Sequence, residues 1–286
     1  MQRLTAEGAN AAQIEYWNGP AGDSWAKSAK TQDIMIGDMG LAAMDACDLH
    51  PGHAVLDIGC GSGSTTLEIA RRVGAGGRAV GIDISTPMLA VATERARDEG
   101  ISNISFENRD VAEYEFEPAV FERVFSRFGV MFFADPVAAF ANIKTAVKPG
   151  GRLAFVCWKT RTENEWMEIP FNAALRHVQA PPPPQPGEPG PTSFADPERV
   201  RRILSESGFE RIGIELLELP ISLGKDIASA VNRLVQLGPA GRLLRDASDE
   251  TKAAVAAELT EVMAPFEADG AVRLGGRAWI VSAVVE

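Results

Sequence analysis

The nine residues VLDIGCGSG at positions 55–63 decide the fold. They form the end of an apolar run, residues 54–58, that leads into a cluster of glycines, and Leu67, Ala70 and Val73 then repeat along one helical stripe. Glycines after a buried strand let the backbone turn tightly and let a ligand approach without meeting a Cβ atom. The next helix presents free N–H groups and a partial positive charge. The segment predicts a nucleotide-binding strand–loop–helix unit.

Strand and helix signals alternate along the rest of the chain. Helices are predicted to begin at Thr65, Thr86, Asp135 and Asp196, and the first has capping-box spacing between Thr65 and Glu68. Strands are predicted at residues 54–58, 78–83, 104–106, 121–126, 152–158, 209–219 and 277–285. This alternation favours an α/β fold with a doubly wound, seven-stranded, mainly parallel sheet.

Three segments lie outside the alternation. Residues 1–45 precede the first strand and are partly helical in pattern, so the core is predicted to span residues 46–286. Residues 160–195 form a Pro-rich insertion that favours polyproline II or an irregular loop. Residues 224–270 carry two helix patterns between the last two strands, and we interpret them as a helical lid.

Composition limits the classes of function. The chain has 286 residues and a net charge of −11, from 28 Lys and Arg against 39 Asp and Glu, so it lacks the basic footprint of nucleic-acid binding. No apolar run reaches the ~18 residues of a membrane span, and residues 1–7 have no signal-peptide core. Three scattered cysteines argue against a disulfide framework or a bound metal. We expect a reducing, cytoplasmic setting.

Two positions separate the candidate ligands of the glycine loop. A dinucleotide fingerprint places its third glycine at position 64, which is Ser64 here, and no Gly-Lys-Ser/Thr follows as in a phosphate-binding Walker loop. Asp57 stands two residues before the first glycine. A carboxylate there would repel a pyrophosphate, whereas it suits a ligand with an ammonium group.

With these features, residues 55–63 resemble motif I of the class I S-adenosylmethionine-dependent methyltransferases, which have a Rossmann-like fold. The resemblance covers residues 46–158 well and continues more loosely to the end. It implies S-adenosyl-L-methionine as cofactor, with Asp57, Gly59 and Gly61 around its methionine part.

The ends of the next two predicted strands extend the resemblance. Asp83 stands where an acidic residue grips both ribose hydroxyls, and Ile84 where an apolar side chain packs on the adenine. Asp110 and Val111 match the positions beside the adenine amino group. The resemblance implies this set of cofactor-binding residues: Tyr16, Trp25, Asp57, Gly59, Gly61, Asp83, Ile84, Met88, Asp110, Val111 and Ser126.

Residues 125–133, after the fourth strand, are similar to small-molecule methyltransferases of the ubiquinone/menaquinone biosynthesis type. The Asn/Asp-Pro-Pro-aromatic tetrad of the DNA N-methyltransferases is absent there. The resemblance implies a small methyl acceptor and no nucleic acid. Residues 16–25 are similar to a bacterial subgroup in which the N-terminal segment closes over the cofactor, so residues 1–45 are expected to form a helical cap bordered by Tyr16, Trp17 and Trp25. The alternative interpretation is that these aromatic residues pack the N-terminal helix against the core and do not contact cofactor or substrate.

Several roles stay open at this stage. Residues 131–133 fit either core or pocket, Trp158 and Trp166 fit a pocket wall or the packing of the insertion, and His177 fits a general base or a surface histidine. No catalytic residue is assigned. The predicted reaction is in-line methyl transfer to an apolar or aromatic acceptor; its methylated atom and the oligomeric state stay undetermined. The alternatives are a nicotinamide-dependent oxidoreductase and a non-catalytic methyltransferase-like binding protein.

Overall fold

The sheet at the centre of the molecule has the predicted α/β organisation. The computed structural model describes residues 3–183, 185 and 187–286. Its strands are β1 (Ala54–Ile58), β2 (Arg78–Asp83), β3 (Ile104–Asn108), β4 (Phe121–Arg127), β5 (Val147–Trp158), β6 (Glu210–Gly224), β7 (Glu267–Ala268) and β8 (Ala271–Val284). They lie in the order β3-β2-β1-β4-β5-β8-β6, and β7 pairs with β8.

The first five strands are parallel, and β8 runs antiparallel to both β5 and β6. The expectation of a doubly wound sheet is therefore confirmed. Its main path has the seven predicted strands, and the two-residue β7 is an addition that the sequence pattern did not indicate. The central β1 is buried along four of its five residues, as expected for a parallel strand covered on both faces.

Helices connect and cover the strands. Their bounds are α1 Ala11–Trp17, α2 Pro20–Lys27, α3 Ala29–Ala46, α4 Ser64–Val73, α5 Thr86–Asp98, α6 Pro136–Ala146, α7 Glu165–Leu175, α8 Pro197–Glu206, α9 Ile227–Leu234, α10 Gly238–Leu244 and α11 Asp249–Met263. The predicted starts of α6 and α8 are confirmed, because Asp135 and Asp196 accept backbone N–H groups as N-caps, each followed by a proline. Among the described residues, none of these helices is both long and apolar enough to cross a membrane.

The predicted capping box of α4 is wrong. Gly63 is the N-cap of this helix, with φ of +82°, and it has no side chain to cap with. The Thr65 hydroxyl instead donates a hydrogen bond to Asp57 Oδ2 at 2.7 Å. The Thr65 hydroxyl therefore binds a side chain of β1 and does not cap helix α4.

Two strands begin earlier than their sequence patterns indicate. The last strand starts at Ala271 instead of residue 277, because Gly275 and Gly276, which normally weaken a strand, here admit a close neighbour. A Cβ atom on Gly276 would lie 2.7 Å from Ile221 Cγ1 on β6. The fifth strand starts at Val147, four residues before Gly151.

The two predicted insertions pack together above the sheet. Helices α7, α9, α10 and α11 contact one another and form what we call the lid. Helix α10, with seven residues, is additional to the two helix patterns that the sequence indicates in residues 224–270. Within residues 1–45, α3 packs against β5, β6 and β8, whereas α1 lies at the loop after β2 and α2 packs against α5.

The loops after β1 and β4 meet at glycines. Gly59 has φ of +63°, and a Cβ atom on it would lie 2.8 Å from the Cα atom of Gly129. Real Cβ atoms do not approach backbone this closely. The contact therefore requires glycine for two reasons, the left-handed backbone and the lack of space.

We expect Gly59→Ala to lower the free energy of unfolding by about 2 kcal/mol more than Gly74→Ala does, because it adds overpacking to backbone strain. Gly74 is the matched control: its φ is +65°, and a Cβ atom there meets nothing within 4 Å. Urea unfolding of both variants measures the difference. Equal losses of stability would show that the contact with Gly129 relaxes without cost.

Candidate functional site

A cavity of about 1680 Å³ opens where the parallel strands end. Ile58, Asp83 and Arg127, at the carboxyl ends of β1, β2 and β4, lie in its wall. The cap helices α1 and α2 contribute to one side and the lid to the other. This is the crevice in which open α/β sheets bind their ligands.

Asp83 is held in place by the glycine loop and by its own strand end. Its Oδ2 accepts the backbone N–H of Gly61 at 2.7 Å, and its Oδ1 accepts that of Ser85 at 2.7 Å. Burial raises the pKa of this carboxyl above its usual value, and the backbone N–H donors oppose the rise. Each oxygen keeps acceptor capacity for a ligand in the cavity.

Asp57 lies behind the loop and not in the cavity wall. Its side chain is fully buried, and Oδ2 accepts the hydroxyl groups of Thr65 and Thr66, both at 2.7 Å. Its Oδ1 has no hydrogen-bond partner among the described residues. Burial raises the pKa of Asp57 to about 6, and the two threonine hydroxyls limit the rise. The unpartnered oxygen is a place for a cationic group or a water molecule.

Asp110 is shared between the cavity and the cap. The Asn10 side-chain amide lies 2.9 Å from both carboxylate oxygens, and the backbone N–H of Ala112 donates to Oδ1 at 3.0 Å. The Asn10 Oδ1 in turn accepts the N–H of Ala134 at 2.9 Å. This buried asparagine therefore ties the chain before α1 to the loops after β3 and β4.

A second asparagine fixes the end of α1 to the loop after β2. Asn18 Nδ2 donates to the Ile84 carbonyl at 2.8 Å, and Asn18 Oδ1 accepts the Thr86 N–H at 3.0 Å. The Ser85 hydroxyl donates to the Trp17 carbonyl at 2.7 Å. The cap thus contacts the same short segment that carries Asp83.

The structure brings nine of the eleven predicted cofactor residues into one cavity wall. They are Tyr16, Trp25, Gly59, Gly61, Asp83, Ile84, Met88, Asp110 and Val111. The two others, Asp57 and Ser126, are fully buried outside the lining. The Ser126 hydroxyl donates to the Ile58 carbonyl at 2.7 Å and accepts the Gly129 N–H at 3.3 Å, so it joins the ends of β1 and β4.

Aromatic side chains line the half of the cavity beyond the glycine loop. Met131, Phe132 and Phe133 are all in the lining, as are Trp158 and Trp166. Four of the five, all except Phe132, are also buried in the hydrophobic core, so the core and pocket interpretations are both compatible with the structure. Phe128, which the sequence did not single out, has φ of +58° and stacks on Trp158 with ring centroids 4.1 Å apart and planes 7° apart. A left-handed phenylalanine leaves no trace in a sequence pattern.

Arg127 also lines the cavity and was missed as a site residue. Its Nη2 donates to the Ser64 hydroxyl at 2.9 Å and lies 3.5 Å from Asp33 Oδ1, on α3. That partner is distant in sequence, so no local signal indicated it. His177, in contrast, is outside the cavity lining and has Nε2 2.8 Å from Glu258 Oε2, which supports the surface interpretation over a general base.

A sequence profile described as "Methyltransferase domain" matches residues 49–207, more than half of the chain. The chain belongs to this methyltransferase family. A phosphoethanolamine N-methyltransferase 2 from Caenorhabditis elegans is 38% identical over 106 residues, 37% of this chain and 24% of that protein. The aklanonic acid methyltransferase DauC from a Streptomyces strain is 36% identical over 117 residues, 41% and 53% of the two chains.

The ubiquinone/menaquinone biosynthesis C-methyltransferase UbiE from Idiomarina loihiensis is 35% identical over 111 residues, 38% of this chain and 44% of that protein. The chain thus matches between about a quarter and about half of the length of these relatives.

The solved structures that share the fold include two methyltransferases. A Haemonchus contortus phosphoethanolamine N-methyltransferase 2 superposes with a TM-score of 0.59 at 22% identity, covering 94% of this chain and 59% of that one.

The other is geranyl diphosphate C-methyltransferase from Streptomyces coelicolor, with a TM-score of 0.55 at 15% identity. It covers 98% of this chain and 100% of that chain. Similarity at these identities shows the fold alone.

The raised pKa of Asp57 predicts a pH-dependent stability. Its ordinary value is 3.8 and its value in the fold is about 6, so ionisation inside the fold is the unfavourable step. The stability that depends on a protonated Asp57 is therefore fully present below about pH 4 and is lost as the pH rises through 6. Relative to Asp57→Asn, the free energy of unfolding of the wild type should fall by about 2 kcal/mol between pH 4.5 and 7.5.

Urea unfolding of both proteins across this pH range measures the difference. Thr66→Val is the matched control, because it removes a hydroxyl that lowers the pKa of Asp57 and should move the loss of stability to higher pH. A difference between wild type and Asp57→Asn that stays constant with pH would contradict the assignment.

Proposed function

We propose that this chain binds S-adenosyl-L-methionine and directs its methyl group to a small-molecule acceptor by in-line displacement. The observation that carries the proposal is the arrangement around Asp83. This carboxylate stands at the end of β2, takes one backbone N–H on each oxygen, and faces a cavity that continues past the glycine loop to an aromatic wall.

The donor and acceptor set fits the cofactor along its length. The unpartnered Asp57 Oδ1 is a buried acceptor behind the glycine loop, on the side expected to receive the ammonium end. Asp83 has acceptor capacity left for two ribose hydroxyls. Ile84, Met88 and Val111 offer apolar surface to an adenine, and Asp110 keeps capacity for its amino group. Ser126 would act indirectly, by holding the strand ends together.

The bound cofactor supplies a methyl group made electrophilic by a positively charged sulfur. The protein then needs mainly to orient the acceptor and to exclude water, which together contribute on the order of 7–11 kcal/mol in favourable cases. Phe128 and Trp158, stacked on each other, and Trp166, whose ring is tilted by 52° to that of Trp158, offer the acceptor an aromatic wall. We assign no general base to a residue of the wall.

The acceptor that suits this wall is an apolar or aromatic small molecule. The similar proteins named for ubiquinone/menaquinone biosynthesis and for aklanonic acid support this size and type of substrate. The buried Asp57 carboxylate behind the loop opposes a pyrophosphate, and with it the nicotinamide alternative. The acidic chain favours a small molecule over nucleic acid.

The ribose assignment predicts that Asp83→Ala weakens S-adenosylmethionine binding by roughly 1.5–3 kcal/mol, the loss of a charge-assisted hydrogen bond. Isothermal titration calorimetry measures the change. Asp98→Ala is the control, since this exposed carboxylate at the end of α5 pairs, among the described residues, with Arg97 alone. Unchanged affinity in a folded Asp83→Ala protein would remove the proposed ribose site.

Turnover distinguishes an enzyme from a non-catalytic binding protein. With S-adenosylmethionine and a panel of quinol, phenol and polyketide acceptors, we expect release of S-adenosylhomocysteine with at least one member. Tight cofactor binding without product across the panel would favour the binding-protein alternative. Binding of NADH, measured by its fluorescence, would favour the oxidoreductase.

The contacts of Asn10 and Asn18 predict that the cap responds to the cofactor, because both side chains bond to segments that carry cofactor residues. Amide hydrogen exchange in residues 11–27 should slow on addition of S-adenosylhomocysteine. Asn18→Ala should reduce this protection while leaving exchange in α6 unchanged. Equal exchange with and without the ligand would show that the cap is independent of the site.

A further inference from the structure

The lid side of the cavity carries a group of basic side chains. Arg161 follows β5, Arg242 lies on α10, Arg245 follows that helix directly and Lys252 lies on α11, and all four line the cavity. Arg161 forms an ion pair with Glu168. Arg242, Arg245 and Lys252 have no ion pair with any carboxylate of the part of the chain that the structure describes.

This group stands out against the charge of the whole protein. The chain has a net charge of −11, so exposed cations have many carboxylates available as partners. The carboxylates in the cavity wall lie mostly at the other end: Asp33, Asp83 and Asp110 are on α3 and at the ends of β2 and β3. Two cations of the wall, Arg109 and Arg127, accompany these three carboxylates. The glycine-loop end therefore carries a small excess of negative charge, whereas the lid end carries cations that have no carboxylate partner within the described residues.

Tyr16 of the cap fixes two of these cations at the cavity mouth. The guanidinium carbons of Arg242 and Arg245 lie 5.5 and 5.2 Å from the centre of its ring, and Arg245 Nη2 donates to its hydroxyl at 2.9 Å. A guanidinium has five N–H donors, so most of them remain for a ligand. The planar fork of N–H donors in each guanidinium matches the oxygens of a carboxylate or a phosphate.

We propose that the methyl acceptor carries an anionic oxygen group, a carboxylate or a phosphate, which Arg242, Arg245 and Lys252 bind at the lid. Its apolar body would then lie against the stacked rings of Phe128 and Trp158. The inference rests on the proposed function, because it takes the occupant of this half of the cavity to be the acceptor. An acidic wall for the cationic cofactor and a basic wall for an anionic acceptor would give the two molecules opposite ends of one cavity.

The test uses three probes with the same flat ring system: 2-naphthoate, 2-naphthyl phosphate and the neutral methyl 2-naphthoate. Their affinities for the full-length protein saturated with S-adenosylhomocysteine are measured by calorimetry at low ionic strength. At least one anion should bind about tenfold or more tightly than the ester. A preference for naphthoate identifies a carboxylate as the recognised group, and a preference for naphthyl phosphate identifies a phosphate.

Variants separate the cations from the surrounding structure. Arg242→Gln, Arg245→Gln and Lys252→Gln, singly and combined, should reduce the preference for the anion, to within about twofold in the triple variant. Arg97→Gln is the control, because it removes an exposed cation of α5 that does not line this cavity. It should retain the preference.

Equal binding of the ester and both anions by the wild type would overturn the inference, as would an undiminished preference in the triple variant. The cofactor titration keeps the two claims apart. If S-adenosylhomocysteine binds and the anion preference is absent, this inference fails and the proposed function stands. If S-adenosylhomocysteine itself does not bind, the proposed function fails.

Discussion

Three carboxylates stand at the ends of β1, β2 and β3, and the rest of the site depends on the donors that hold each of them in place. Parallel neighbours bring Asp57 and Asp83 to one edge of the sheet, where the charge of Asp83 raises the pKa of Asp57 further. Each carboxylate is given its own donors. Asp57 has two threonine hydroxyls, Asp83 two backbone N–H groups, and Asp110 an asparagine and a backbone N–H.

These donors explain the sequence around the site. The glycine loop must pass close enough to offer its N–H to Asp83, and it does so with positive φ at Gly59, Gly61 and Gly63. Helix α4 gives up a side-chain N-cap, and its first threonines turn towards Asp57 instead. The asparagine for Asp110 comes from outside the sheet, so the cap completes the electrostatics of the core site.

What could be predicted from sequence follows from how local each feature is. The strand–loop–helix unit at 55–73 and the acidic residue at the end of β2 are contiguous signals, so the fold and most of the expected cofactor residues could be named. Ser126 lies near the carboxyl end of β4, where the resemblance implies a cofactor contact, and its hydroxyl joins that strand to β1. Asn10 and Arg127 act through partners 100 and 94 residues away, beyond any local pattern.

The same distinction separates the two halves of the cavity. The cofactor half is built from strand ends whose positions the sheet dictates. Its central carboxylate, Asp83, is held by two backbone N–H groups, which do not depend on the side chains of Gly61 and Ser85. The lid half is built from short helices in the connection between β6 and β7. Arg242 lies on one of them, α10, and Arg245 follows it directly; both guanidinium groups lie against the ring of Tyr16 in the cap. Since such connections tolerate change without loss of the sheet, the fold can keep its cofactor geometry while the charge and shape of the lid define which acceptor it serves. On that reasoning, the lid cations that have no ion pair within the described residues reflect the acceptor we propose for this protein rather than the requirements of its fold.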